Sequence, residues 1–218
     1  LDNTLWGGVI GDDGINNIKI GDSSAEGESY SNFQKYLKSL AQKGIILCVC
    51  SKNDFKIANE VFIKNSNMEL SEKDITMFVA NYKDKASNIK NISKTLNLSL
   101  DSFIFVDDSQ IECELVKQKL PEVMVINLSN QDPSDFIDIL ENTYPFYFKK
   151  ITKEDLDRSE SYKQIALLDT KSKSSSNLDQ FLKNLQPKIL IKKVDNNNVE
   201  RSVQLIAKTN QFKLNSKL

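Results

Sequence analysis

Histidine is absent from all 218 residues. That absence excludes Ser-His and Cys-His nucleophile pairs and most zinc sites. Any catalysis must rest on carboxylates, hydroxyls, thiols, lysine or a bound hard cation. Cysteine is scarce: Cys48, Cys50 and Cys113 cannot build a disulfide framework. Cys48 and Cys50 fall inside an apolar run, where a free thiol behaves as a small hydrophobe. Charge of one sign is missing too. Twenty-nine basic residues against 30 acidic ones leave a net charge of -1, which excludes a general attraction to nucleic acid. No apolar run approaches the roughly 20 residues that span a bilayer, and no basic-then-apolar leader opens the sequence. These features predict a soluble, cytoplasmic protein with no nucleic-acid or membrane partner.

What is present is ordinary for a globular chain: 39% apolar and 27% charged residues, enough for one full core and a remainder. Tyr30, Phe33, Leu37 and Leu40 recur at helical spacing before Gly44, a natural helix stop. "IILCVC" (Ile45–Cys50) then reads as a strand buried on both faces. "FKIANEVFIKN" predicts a helix capped by Asn53 or Asp54. "TMFVA" (Thr76–Ala80) predicts a strand, "DKASNIKNISKTLNL" a helix, and "FIFV" (Phe103–Val106) a strand. "QIECELVKQKL" predicts a helix broken by Pro121, and "EVMVINL" (Glu122–Leu128) another strand. Strand and helix alternate every 25 to 30 residues or so, which argues a parallel sheet with helices on both faces. The strand that opens such a sheet is expected largely ahead of Leu1.

After Leu128 the alternation fades. "DFIDILENTYPF" predicts a helix, and Thr152 with Asp155 approximates a capping box that starts another. "TKSKSSSN" (Thr170–Asn177) reads as a serine-rich connection, "LDQFLKNL" as a helix and "PKILIKKV" (Pro187–Val194) as a strand.

Ligands of parallel sheets with helical crossovers bind at the carboxyl ends of the strands. The first exit offers Asp2, Asn3 and Thr4. The next offers Cys50, Ser51, Lys52 and Asn53. Lys83, Asp84 and Lys85 follow the third, and Asp107, Asp108 and Ser109 the fourth. Adjacent carboxylates such as Asp107 and Asp108 repel and raise each other's pKa unless a cation or donors offset them. An acidic turn explains such a pair as well. Converging carboxylates, a hydroxyl and one or two ammonium groups suit Mg²⁺ and a phosphate, because Mg²⁺ prefers carboxylates plus substrate oxygens to an all-protein cage.

D-x-T after a strand, then strand-Ser, helix-start Lys and strand-Asp-Asp resemble the motifs of the haloacid-dehalogenase-like (HAD) phosphohydrolases. "LDNTLWGGVIGDDG", "CSKND", "NYKDKASNI", "FVDDS" and "KTNQF" resemble more narrowly the FkbH-like proteins of subclass IIIC. Two positions depart from that pattern: Ser109 replaces Asn after the Asp pair, and Tyr82 replaces Trp. The family's first motif is D-L-D-N-T, and its leading nucleophilic Asp would stand just ahead of Leu1. The expectation is therefore a fragment that is inactive as it stands, of a longer active protein.

The resemblance implies an α/β, HAD-like Rossmannoid sheet with a minimal cap over residues 1–148, its first strand and nucleophile missing. A helical connector over 149–186 and the incomplete start of a GNAT-like acyltransferase domain over 187–218 would follow. It implies Asp2 as general acid and base, and Thr4 as a residue ordering the loop. Ser51, Lys52, Asn53 and Lys85 would bind phosphate, with Asp2, Asp107 and Asp108 around Mg²⁺. The implied activity is that of a phosphohydrolase or phosphotransferase working through an aspartyl-phosphate. For the polyketide-pathway branch it implies transfer of a glyceryl group from 1,3-bisphosphoglycerate to an acyl carrier protein. Cys50 is then a candidate acyl acceptor if Lys52 or the metal lowers its pKa. The alternative is a phosphate-binding scaffold without turnover. About 20 residues between the first motif and the first helix are too few for a folded cap, so the site should be open to carrier-bound substrates.

Overall fold

A computed structural model gives the fold and describes residues 1–144, 146, 158–174, 190–196 and 198–208. It divides into two compact units, Leu1–Ser174 and Ser175–Leu218.

In the first unit the chain makes one helical turn, α1 (Ile10–Asp13), and then the long helix α2 (Ala25–Ala41). The Ser24 side chain caps α2 by accepting from the Gly27 amide, so one orphan donor of the first turn is satisfied. Tyr30, Phe33 and Leu40 of α2 are buried. Gly44 adopts φ 93°, a left-handed turn that only glycine takes without strain, and the chain passes straight into β1 (Leu47–Ser51). Then come α3 (Phe55–Lys64), β2 (Ile75–Ala80), α4 (Lys85–Leu96), β3 (Ile104–Asp107), α5 (Gln110–Lys119), β4 (Met124–Asn127), α6 (Phe136–Thr143) and α7 (Arg158–Ser174). Asp54 caps α3 through the Lys56 and Ile57 amides, and Asp84 caps α4 through Ser87. Of the two expected caps for α3, the carboxylate takes the role and Asn53 is left for other work.

The single parallel sheet expected is seen as two parallel pairs, β1 with β2 and β3 with β4. Both pairs feed the same two core layers. Leu47 and Val49 of β1, Ile104 and Val106 of β3, and Ile126 of β4 pack with Phe33 and Phe136. Cys50 of β1 and Phe103 and Phe105 of β3 pack on the opposite side with Ile89, Cys113 and Val116. The period-2 alternation of the strands thus sends apolar side chains both ways, as expected for strands covered on both faces.

Two readings of the later chain are corrected. Thr170–Ser174 is not connection but the last part of α7. Within the expected strand at 187–194, residues 190–194 take no strand structure; among the described residues no strand pairs with them to complete their hydrogen bonds. The second unit shows a helix, α8 (Val199–Lys208), that the sequence reading did not foresee. Thr152, Asp155, the "LDQFLKNL" helix and residues 209–218 of the GNAT-like motif lie outside the described residues. No described helix is long and apolar enough to cross a membrane.

Candidate active site at the strand exits

The exits of β1 and β3 stand beside the Asp2–Thr4 segment, and hydrogen bonds tie the three together. Asn3 takes φ 47° and its side chain accepts from the Gly8 amide at 2.9 Å. The turn that follows needs its glycines. Gly8 sits at φ 95°, where a Cβ would lie 2.5 Å from the Asp13 carboxylate, and a Cβ on Gly7 would lie 2.9 Å from the Tyr30 ring. This turn brings the Trp6 indole back to Asp2.

The Asp2 carboxylate accepts from Trp6 Nε1 at 3.0 Å and from the Ile10 amide at 3.2 Å through one oxygen, and from Asn53 Nδ2 at 2.9 Å through the other. Asn53 also donates to Ser51 Oγ at 3.2 Å. The buried Thr4 hydroxyl lies 3.2 Å from the Asp2 carbonyl and 3.4 Å from Asp108 Oδ1. Asp2, Thr4, Ser51, Asn53 and Asp108 therefore form one connected chain of polar contacts.

Charge concentrates beside it. Lys85 opens α4 and is buried; its Nζ meets Asp107 Oδ2 at 2.6 Å and lies 5.9 Å from the Phe105 ring centroid. The other Asp107 oxygen accepts from the Ser109 amide at 3.0 Å. Burial first, and the charge of Asp107 second, push the Asp108 carboxyl above its ordinary range. The Leu1 main-chain nitrogen is buried here too, among Asp107, Lys85, Asp2 and Asp108. Among the described residues no three acidic or thiol side chains form a ready cation cage. Lys85 occupies one side of Asp107, and three donors occupy Asp2.

The other expected residues divide. Lys52 turns to Glu112, with Nζ 2.5 Å from Oε1. Glu112 was missed by the sequence reading, and its S-x-x-E spacing from Ser109 signals a helix cap rather than a partner for a lysine. Trp6 was missed as well, although it stands four residues from Asp2. Cys50 lies below Ser51 and its Sγ donates weakly to the Lys85 carbonyl at 3.7 Å. Burial pushes its thiol up to about 12, with Lys85 only partly offsetting that. Cys48 is pushed up to about 12 by the same cause, and Cys113 to about 11.

The arrangement can hold a carboxylate in fixed orientation, present a cation and a hydroxyl to an anion, and offer an under-compensated carboxylate to a hard cation. No family model and no curated protein matches the chain. It is similar to a crystal structure of the N-terminal part of the protein BF1531 from Bacteroides fragilis, containing a phosphatase domain complexed with Mg. The two share 43% identity with a TM-score of 0.66, over 69% of this chain and 40% of that one. The chain thus spans about two fifths of the length of the structure it matches.

Proposed function

We propose that this chain supplies the substrate-handling side of a Mg²⁺-dependent phosphatase of the HAD-like superfamily. The observation that carries the reading is the convergence of Asp2, Thr4, Ser51, Lys85, Asp107 and Asp108 at the strand exits. Similarity to a Mg-bound phosphatase domain supports it.

Carboxylate and main-chain oxygens are the donor chemistry a hard cation takes. Asp108 carries a carboxyl whose pKa burial and a like charge raise, with only its own backbone amide and a long contact from Thr4 described against it. A cation relieves that cost. Asp107 and Asp108, with the main-chain carbonyl of Asp2, would hold Mg²⁺, which when bound neutralises charge on phosphoryl oxygens.

The chain's own residues do the rest. Ser51 donates to a phosphoryl oxygen, and Lys85 offsets the negative charge that shifts in the transition state. In this reading the nucleophile is an aspartate joined ahead of Leu1, whose nitrogen already faces the acidic pair and Lys85. Its carboxylate forms the bond to phosphorus as the ester P–O bond breaks, and Asp2 gives its proton to the leaving oxygen. Water then attacks phosphorus, Asp2 takes the proton back, and the aspartyl P–O bond breaks to release phosphate. Asn53 and Trp6 keep Asp2 aimed throughout.

A finer form follows the FkbH-like wording of the motifs: a glyceryl phosphate donor such as 1,3-bisphosphoglycerate, with an acyl carrier protein as acceptor. A thiol raised to about 12 is a poor nucleophile at neutral pH. An acceptor thiol is therefore placed on the carrier rather than on Cys50.

The test is phosphate release from phosphoesters by the chain extended ahead of Leu1 with an Asp-ended strand. Release that requires Mg²⁺ and is lost in Asp2→Asn supports the reading. Release that ignores both overturns it. Phosphate binding without release would favour the scaffold alternative.

A further inference from the structure

Two asparagines join the exits of β1 and β2 to α4, outside the contacts given to phosphate and cation. Asn88, one turn into α4, is 4% exposed, yet its side chain is a polar amide. It faces Asn81, the first residue past β2. The two side chains bond reciprocally. Asn88 Nδ2 donates to Asn81 Oδ1 at 3.0 Å, and Asn81 Nδ2 donates to Asn88 Oδ1 at 3.3 Å. Asn81 Oδ1 also accepts from the Lys83 amide at 2.9 Å. The Asn81 main-chain N–H donates to the Ser51 carbonyl at 3.1 Å. One residue thus ties the end of β1 through its main chain and α4 through its side chain.

Burying an amide carries a desolvation cost that an apolar side chain does not. Apolar residues already hold α4 in place, with Ala86, Ile89 and Ile92 buried. What the pair adds is direction, because two reciprocal hydrogen bonds fix distance and orientation. Both groups so fixed belong to the site. Lys85 lies three residues before Asn88, on the same side of α4, and Asp107 holds its Nζ at 2.6 Å. Ser51 ends β1, and strand ends open most easily. The Asn81 bond is the rung just past the pairing of Ser51 with Ala80. Tyr82 and Lys83, between Asn81 and the Asp84 cap, are exposed, so the amide pair carries the connection. A second tie, from the Cys50 thiol to the Lys85 carbonyl at 3.7 Å, is weak.

We infer that Asn88 is a positioning residue acting through Asn81: it sets the Ser51 hydroxyl against the Lys85 ammonium so that both meet one phosphoryl group. The identity of the anion rests on the phosphatase reading; the clamp rests on the hydrogen bonds alone. An ammonium attracts an anion from many directions, whereas a hydroxyl donates along one line. Ser51 therefore loses more than Lys85 when the strand end moves, and a shift of about 1 Å spoils such a contact. Asn53, which donates to Ser51 Oγ, aims the side chain. Asn88 places the main chain that carries it.

The test uses the 218-residue chain, well below its melting midpoint, with amide exchange and then calorimetry with Mg²⁺ and inorganic phosphate. Asn88→Leu removes the clamp and keeps bulk in the buried position. Asn81→Ala combined with Asn88→Leu removes both amides and leaves neither unpaired, so it serves where the single variant folds poorly. Exchange needs no ligand: the Asn81 N–H should lose about tenfold protection in either variant, while Val49 and Phe105 keep theirs. Phosphate affinity should fall about tenfold in Asn88→Leu and about tenfold in Ser51→Ala. Combining the two should cost no more than either alone. Additive losses, roughly a hundredfold, overturn the inference, since Asn88 would then act apart from Ser51. So does an Asn81 amide as well protected as before. Lost protection with phosphate held equally well makes the clamp structural only and overturns it too. If the unaltered chain binds no phosphate, the anion-binding reading fails first and the inference with it. If it binds and the clamp variants match it, the inference alone fails.

Discussion

The exits of β1 and β3 both end in polar residues, yet they balance them differently. At the β1 exit, neutral donors do the work: Asn53 joins Ser51 to Asp2, and Trp6 completes the set. At the β3 exit, charge meets charge: Lys85 is locked to Asp107, and Asp108 is left with a raised pKa. A hydrogen-bonded exit fixes direction at little electrostatic cost. A charged exit stores an imbalance that a ligand can relieve. On the proposed function, the β1 exit is the aiming half of the site, with Ser51 also offered to phosphate, and the β3 exit is the charged half that takes the cation.

Breaking the charged half should have the largest effect. Side chains of Lys85 and Asp107 are only 10% and 3% exposed. Lys85→Ala strands a buried carboxylate and should cost about 3–5 kcal/mol. A melting curve checks it: at this chain length the midpoint should fall by roughly 6–20 °C. Lys85→Met with Asp107→Leu removes both charges and should recover most of that loss. If the double variant is as unstable as the single one, charge is not what holds this exit.

The next effect inverts with Mg²⁺. Without the ion, Asp108→Asn should raise the midpoint by roughly 1–3 °C, because it removes a half-buried like charge beside Asp107. With Mg²⁺ at 100 times its dissociation constant, the unaltered chain should gain about 2.7 kcal/mol and the variant little. A midpoint that ignores Mg²⁺ in both proteins would remove the distinction between the halves.

Much of this was legible in the sequence because its signals are local. Apolar runs followed by polar exits marked β1 to β4 within a few residues, and amphipathic spacing marked α2 to α6. That Asp2, Ser51, Lys85 and the acidic pair come together could be expected, because parallel topology carries strand exits to one end. What escaped depends on pairing between distant residues. Lys52 with Glu112 joins positions 60 apart in sequence, and nothing in either segment announces it. Thr170–Ser174 misled through its serines, whose turn preference is weak against an established helix. The raised thiol of Cys50 was also hidden, since it arises from burial by helices that no local pattern weighs against Lys52.

A smaller effect sharpens the aiming half. Asn53→Ala removes donors to both Asp2 and Ser51 and should cost about 1–2 kcal/mol of stability. On the proposed mechanism, in the chain extended ahead of Leu1 kcat should fall more than KM rises, because misaiming Asp2 would weaken proton transfer more than binding. Equal changes in both would mean that Asn53 only supports the fold.

The smallest effect near neutral pH belongs to Cys50, which lies under both exits. Its thiol stands at about 12 against an ordinary 9.0, chiefly through burial, and that of half-buried Cys48 matches it. The folded state thus holds these protons more tightly than the unfolded state does. That contribution is fully present below pH 9 and is lost as pH rises from 9 toward 12. Melting midpoints should stay level from pH 7 to 8.5 and fall steadily above 9, with a shallower fall in Cys50→Ala. Iodoacetamide at pH 8 should leave both thiols unmodified in the folded protein and alkylate them in denaturant. Rapid labelling of folded Cys50 at that pH would return it to the list of nucleophiles and tie the neutral half of the site to chemistry as well as aim.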